Sequence, residues 1–96
     1  MKTPAEKAEK KLDSILRVYT LAEQIEKRLE KKMETECRTK GFVSASTNSR
    51  LNTIAERLLD LQFKLQYAIG QLKWYGDDSQ REYAEAVYVS IFESGR

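Results

Sequence analysis

The sequence predicts an all-helical protein, an antiparallel three-helix bundle whose N-terminal helix is much longer than the other two. Two observations indicate this fold. The chain has 96 residues but only four glycines and one proline, Pro4, so long segments contain nothing that would break a helix. Along these segments apolar residues recur at steps of three and four, the spacing of one face of an α-helix.

The first helix is predicted from about residue 4 to about residue 40. Thr3 can cap its first turn, Pro4 suits the first helical position, and Glu6 can bond back to the cap. Gly41 can adopt the left-handed conformation that often ends a helix. The helix therefore has a start signal and a stop signal.

A loop is predicted over residues 41–49, because Ser, Thr and Asn side chains compete with the backbone for hydrogen bonds there. The second helix is predicted over about residues 50–75, with its cap among residues 46–49. Its main apolar stripe comprises Leu51, Ile54, Leu58, Leu61, Leu65, Ala68, Leu72 and Tyr75. A second stripe beside it comprises Ala55, Leu59, Phe63, Tyr67, Gly70 and Trp74. Two adjacent stripes need neighbours on two sides, so helix 2 is expected at the centre of the packing.

The third helix is predicted over about residues 80–94. Gly76 ends helix 2, and Ser79 with Glu82 has the spacing of a capping box. Gly95 is the expected stop. A connection this short requires helix 3 to return antiparallel to helix 2.

The three helices differ in length, at roughly 55, 40 and 24 Å for a rise of about 1.5 Å per residue. Helix 3 can therefore cover only the part of helix 1 that contains Leu12 to Ile25. Over that range the apolar arc of helix 1 is wide, and beyond it the arc thins to Leu29, Met33 and Cys37. The sequence thus predicts a single helical domain with a three-helix body and a two-helix stalk, which ends at the loop.

The composition argues against most catalytic and cofactor chemistry. The chain has no histidine, the commonest general base and metal ligand, and its one cysteine can form neither an intrachain disulfide nor a zinc cluster. We expect Cys37 to be a buried or half-buried residue of the stalk. No catalytic residue, metal or cofactor is predicted, and the protein is not expected to be an enzyme.

The charge balance and the apolar pattern bear on partners and location. A formal net charge of +2 does not create a field that would draw the whole protein onto nucleic acid or a membrane. The first residues lack the apolar core of a secretion signal, and no apolar run approaches the length that spans a bilayer. A cytoplasmic location is therefore predicted.

A helical module without catalytic groups is expected to bind another protein or a second copy of itself, as an adaptor, regulator or inhibitor. The expected surface is the end of the stalk, where apolar side chains would be left partly in water beside basic ones. It comprises Leu29, Met33, Cys37, Phe42, Val43, Lys31, Lys32 and Arg38. A homodimer would also bury Ala86 and Val89 of helix 3.

A nucleic-acid-binding accessory protein is the first alternative. The basic residues of helix 1 near the stalk could follow a phosphate backbone, although three glutamates interrupt them. These basic residues are Lys27, Arg28, Lys31, Lys32, Arg38 and Lys40.

The second alternative is a small helical enzyme. One very long helix, a loop and two shorter helices resemble the all-helical chorismate mutases in shape, and the cationic residues Arg28, Lys40 and Arg50 are available. That resemblance implies that these three residues would hold a dicarboxylate between the long helix and the start of helix 2. In that family an acidic residue follows the arginine, whereas Leu51 follows Arg50 here. A shared fold does not carry a site with it.

Overall fold

A computed structural model describes residues 3–93 and confirms an all-helical chain with three helices. Helix α1 spans Pro4–Lys40, α2 spans Ala45–Tyr75 and α3 spans Asp78–Tyr88. A short π-helix, Val89–Glu93, continues from α3.

Helix α2 begins at Ala45, so the predicted loop over residues 41–49 and the predicted start near residue 50 are wrong. Ser44 is the residue that caps α2, because its hydroxyl accepts a hydrogen bond from the Thr47 N–H at 3.2 Å. The caps predicted among residues 46–49 instead lie inside the helix.

The end of α1 follows the prediction. Gly41 has φ of 78°, and its N–H donates to the Cys37 carbonyl oxygen at 3.1 Å. This bond closes the αL stop motif, in which a left-handed glycine satisfies a carbonyl of the last turn.

Helix α3 begins two residues before the predicted position, because the cap is Asp77 and not Ser79. The Asp77 carboxylate accepts from the Gln80 N–H at 2.9 Å, and the Gln80 side-chain oxygen accepts from the Asp77 N–H at 3.0 Å. These two bonds form a capping box. The predicted end near residue 94 is replaced by the π-helix, and the predicted stop, Gly95, lies outside the described residues.

Contacts divide the chain into two compact units. Unit 1 contains the residues up to Arg17 and those from Gln62 onward, so it includes the start of α1, the end of α2, and α3. Unit 2 is Val18–Leu61 and contains the remainder of α1 and of α2. Unit 1 thus contains parts of all three helices, and unit 2 contains parts of α1 and α2.

Side-chain hydrogen bonds fix the direction of α3 in unit 1. Gln80 donates to the Glu9 carboxylate at 3.0 Å, and the Tyr83 hydroxyl donates to the Asp13 carboxylate. The contacts advance along α1 as they advance along α3, so these two helices run parallel. Burial, together with the bond to Asp13, raises the pKa of Tyr83 to about 12, so its hydroxyl stays protonated as a donor.

The core of unit 1 is apolar and draws on all three helices. Its buried residues include Ala8, Leu12, Leu65, Ala68, Ile69, Leu72, Ala84 and Val87. Lys73 of α2 forms a salt bridge with Glu85 of α3, and the Arg81 Nε donates to the Lys73 carbonyl oxygen at 3.1 Å.

The buried apolar residues of unit 2 are Tyr19, Ala22, Ile54, Leu58 and Leu61. Val18, Leu21 and Ile25, which the wide apolar arc of helix 1 placed against a neighbour, are exposed.

The last turn of α1 directs a charged residue inward. Glu36 is only 7% exposed, and its carboxylate accepts from the Ser44 N–H at 3.0 Å and from the Ser44 hydroxyl at 3.1 Å. The fully buried Thr47 hydroxyl lies 2.9 Å from that of Ser44. The backbone N–H of Ser44 holds the pKa of the Glu36 carboxyl below its usual value.

Cys37 is exposed, so its predicted burial is wrong. A spacing of four residues advances about 40° beyond a full turn, which places Cys37 about 80° from Leu29 around α1. Glu36 lies about 20° from Leu29 and therefore takes the inward position.

Candidate functional site

The described surface of unit 1 carries a row of large aromatic side chains on α2. Phe63, Tyr67 and Trp74 expose 65%, 63% and 79% of their surface. Gly70, which is also exposed, lies in the same row. These four residues are called the aromatic stripe below.

The aromatic stripe is exposed because it lies almost opposite the buried face of α2. At about 100° per residue, its members lie roughly 140° to 200° around the helix from the buried Leu65. Within unit 1, α1 and α3 pack on the side of Leu65. Lys11 and Ile15 of α1 reach the stripe beside Phe63 and Tyr67 but leave both rings mostly exposed. The expectation that this second stripe packs against a neighbouring helix of the chain is therefore wrong. Ala55 and Leu59, assigned to the same stripe from the sequence, are exposed in unit 2.

Two hollows flank Tyr67 in unit 1. The first has a volume of about 420 Å³, and its lining comprises Gln66, Tyr67, Gly70, Gln71, Trp74 and Tyr75. It is called the Gly70 hollow, since a Cβ built on Gly70 would meet nothing within 4 Å. The second has about 460 Å³, and its lining comprises Lys11, Ile15, Phe63, Lys64 and Tyr67.

The polar groups beside the aromatic stripe are engaged within the chain. The Lys11 ammonium lies 5.7 Å from the centre of the Tyr67 ring, and the Gln71 side chain donates to the Tyr67 hydroxyl at 3.1 Å. Lys73 is held by Glu85. The stripe itself consists of uncharged side chains, which suit it to contact with another apolar surface.

The residues that the sequence predicted as a partner site all lie in unit 2. Phe42 is 62% exposed, whereas Leu29, Met33 and Val43 are half-buried. Lys31, Lys32, Arg38 and Cys37 are exposed.

Leu29 is brought into a groove between α1 and α2 of unit 2. This groove has a volume of about 340 Å³, and its lining comprises Ile25, Leu29, Ser49, Arg50, Thr53, Ile54 and Arg57. Phe42 lies instead at the turn between the two helices.

The other residues considered for function are also on the surface. Ala86 and Val89 of the α3 segment are exposed, as are Arg28, Lys40 and Arg50. Within residues 3–93, no group of three or more His, Cys, Asp or Glu side chains is arranged to hold a metal ion.

Sequence reasoning identified the residues of the aromatic stripe but assigned them to the core. The signal that could have separated the two faces is angular. At about 100° per residue, two sets of side chains lie on opposite sides of α2. The exposed set is 59, 63, 67, 70 and 74, and the buried set is 61, 65, 68 and 72. The angle between the two sets is too large for one neighbouring helix to cover both.

Of the helices that the structure describes, none is long and apolar enough to cross a membrane. Comparison of the chain with protein-family models, curated proteins and solved structures finds no match. Function has to be inferred from the geometry of the chain itself.

Proposed function

We propose that this chain is a non-enzymatic helical protein that acts by binding a protein partner through the aromatic stripe. The observation that carries the proposal is the exposure of Phe63, Tyr67 and Trp74 in one row. Aromatic side chains are enriched at protein interfaces, where one partner removes them from water.

The size of the exposed surface supports this proposal. A buried Phe, Tyr or Trp removes about 150–250 Å² from water, so the three side chains at these exposures present roughly 400 Å² together. The largest apolar patch on a typical monomer has about this size and is often a functional surface.

The spacing within the stripe favours a helix as the bound element. Phe63, Tyr67, Gly70 and Trp74 follow steps of four, three and four residues. This is the repeat that lets side chains of one helix pack between those of another. We therefore propose an adaptor, regulator or inhibitor whose partner presents an amphipathic helix.

Single-stranded nucleic acid could in principle stack on the same aromatic rings if enough free cations lay beside them. Protein is favoured because Lys73 is neutralised by Glu85 and Lys11 lies against the Tyr67 ring. A reducing compartment such as the cytoplasm suits a chain whose one cysteine, Cys37, is exposed.

Two phenylalanines of nearly equal exposure allow a matched test, since Phe63 belongs to the stripe and Phe42 to the surface predicted from the sequence. Tagged wild type, Phe63→Ser and Phe42→Ser would be used to capture proteins, including untagged copies, from the native host. We expect Phe63→Ser to reduce capture of a specific partner about tenfold or more, and Phe42→Ser to retain it. Circular dichroism would verify that both variants remain helical.

The reverse result, with loss only in Phe42→Ser, would move the site to unit 2. Specific capture that survives both substitutions would refute binding through the stripe. Tight binding of DNA or RNA at physiological salt, lost in Phe63→Ser, would replace the protein partner by a nucleic acid.

A further inference from the structure

We infer that the occupant of the aromatic stripe is a second copy of this chain, whose own α2 packs antiparallel across it. This inference rests on the proposed function and names the partner. It follows from two residues on the same face of α2: Phe63 presents a large ring, and Gly70 has no side chain. The ring of one copy can therefore pack where the other copy lacks a side chain.

Phe63 and Gly70 are related by a two-fold axis that passes beside Tyr67. They are seven residues apart, close to two helical turns, so they lie nearly in line and about 10 Å apart along α2. When two α2 helices pack antiparallel about this axis, Phe63 of each copy faces Gly70 of the other. A symmetric dimer makes this contact twice.

The Gly70 hollow can accept the ring of Phe63. It is an open surface depression of about 420 Å³ beside Gly70, so a ring has room to enter it from solvent. Glycine is unfavourable inside a helix, and no atom of the described chain lies close enough to exclude a side chain at position 70. The missing side chain at position 70 leaves the hollow open, and a ring from a second molecule has room to fill it.

The charges on this face permit two identical surfaces to meet. All four members of the stripe are uncharged, and Gln66 and Gln71 line the hollow beside them. The stripe itself therefore adds no like-charge repulsion, which would oppose a symmetric contact, and the cations Lys11 and Lys64 line the hollow on the other side of Tyr67.

The area is also sufficient for a dimer. Two aromatic stripes present roughly 800 Å² of apolar surface, and the half-exposed Tyr75 of each copy raises the total to about 1,000 Å². This total is about the lower limit for a specific protein interface, and it is reached when the exposed surface of these eight side chains is fully buried.

The test uses sedimentation equilibrium of the full chain from about 1 to about 200 µM, a range that covers ordinary dimer affinities. We expect the wild type to form a monomer–dimer equilibrium and Gly70→Phe to weaken it about tenfold or more, since the new ring meets Phe63. Adding Phe63→Ala to Gly70→Phe should recover much of the loss, because the ring at position 70 then faces the vacated space. Ala86→Phe, an exposed position on α3, is the control and should leave dimerisation unchanged.

Trp74 supplies a second readout, because it is the only tryptophan and lies in the stripe. Its quenching by acrylamide should fall as the wild type dimerises and stay constant in Gly70→Phe. A wild type that remains a monomer throughout, or a double variant that associates more weakly than Gly70→Phe alone, would overturn the inference. If the wild type is a monomer but a different protein binds it and loses affinity in Phe63→Ser, the proposed function holds and only the dimer is refuted. If no protein partner depends on Phe63, the dimer and the proposed function are both refuted.

Discussion

Glu36 occupies a position at which a packed helix ordinarily presents an apolar side chain. Its carboxylate is compensated by the N–H and the hydroxyl of Ser44, the residue that also caps α2. A buried carboxylate is tolerated only when hydrogen bonds of this kind replace water. One acidic residue therefore joins the end of α1 to the start of α2.

The lowered pKa of Glu36 makes part of the stability depend on pH. A depressed folded-state pKa stabilises the fold above the unfolded value, near 4.5, and this contribution is lost as the pH falls through the lower folded value. We expect Glu36→Gln to destabilise the protein at neutral pH. The difference from wild type should shrink by more than half between about pH 7 and about pH 3.

Urea unfolding at several pH values measures this difference, because the other carboxyl groups titrate in both proteins. Glu34→Gln removes the same charge from an exposed position and controls for net charge. A wild-type advantage over Glu36→Gln that stays constant down to about pH 3 would contradict the prediction.

The sequence could not identify the cap of α2, and the reason lies at this same residue. Hydroxyl and amide side chains occur repeatedly before the helix, and several could serve as a cap on local grounds. Ser44 is selected by Glu36, eight residues earlier in the chain. The start of α1 and its stop at Gly41 depend on neighbouring residues alone, and both follow the prediction.

The connection between α2 and α3 depends on a glycine for reasons of space. Gly76 is buried, and a Cβ there would lie 2.5 Å from the Leu72 carbonyl oxygen and 2.8 Å from the Gln80 Cβ. Because the carbonyl belongs to the backbone, the clash cannot be relieved by moving a flexible side chain. The capping box of α3 would have to shift instead.

We expect Gly76→Ala to destabilise the protein by about 1–3 kcal/mol, the usual cost of forcing an atom into a packed site. The matched control is Gly70→Ala on the same helix, where a Cβ has open space. That substitution should stabilise the monomer by about 0.5–1 kcal/mol, because alanine loses less entropy than glycine in a helix. Urea unfolding at low protein concentration gives both values, and a Gly76→Ala variant as stable as wild type would refute the close contact.

Helix α2 shows how far an apolar pattern can predict a fold. The periodicity correctly indicates a long helix with a continuous buried face that includes Leu65 and Leu72. The residues of the aromatic stripe recur at the same spacing as the buried residues. The apolar pattern alone therefore does not reveal whether another helix of the chain covers them. The structure shows that α1 and α3 leave Phe63, Tyr67 and Trp74 exposed.

At the scale of the whole molecule, residues 23–53 of unit 2 are stabilised by different contacts from those that stabilise unit 1. Unit 1 has buried apolar residues from three helices. From residue 23 to residue 53, by contrast, the buried side chains are polar and belong to Glu36 and Thr47. Residues 23–53 therefore depend on hydrogen bonds more than on apolar burial for their stability.

In a segment that packs against apolar neighbours on several sides, the backbone hydrogen bonds open only when the whole protein unfolds. A segment with few buried contacts can unfold locally. We expect the backbone amides from Leu29 to Cys37 to exchange with solvent at least about tenfold faster than those from Leu65 to Leu72. Native-state hydrogen exchange measures both sets at a concentration where sedimentation shows a monomer, so that dimerisation does not protect α2. Glu36→Gln should accelerate exchange in the first set and leave the second unchanged, because Glu36 secures only the turn between α1 and α2. Equal protection of the two segments in the wild-type monomer would show that unit 2 shares the cooperative core of unit 1.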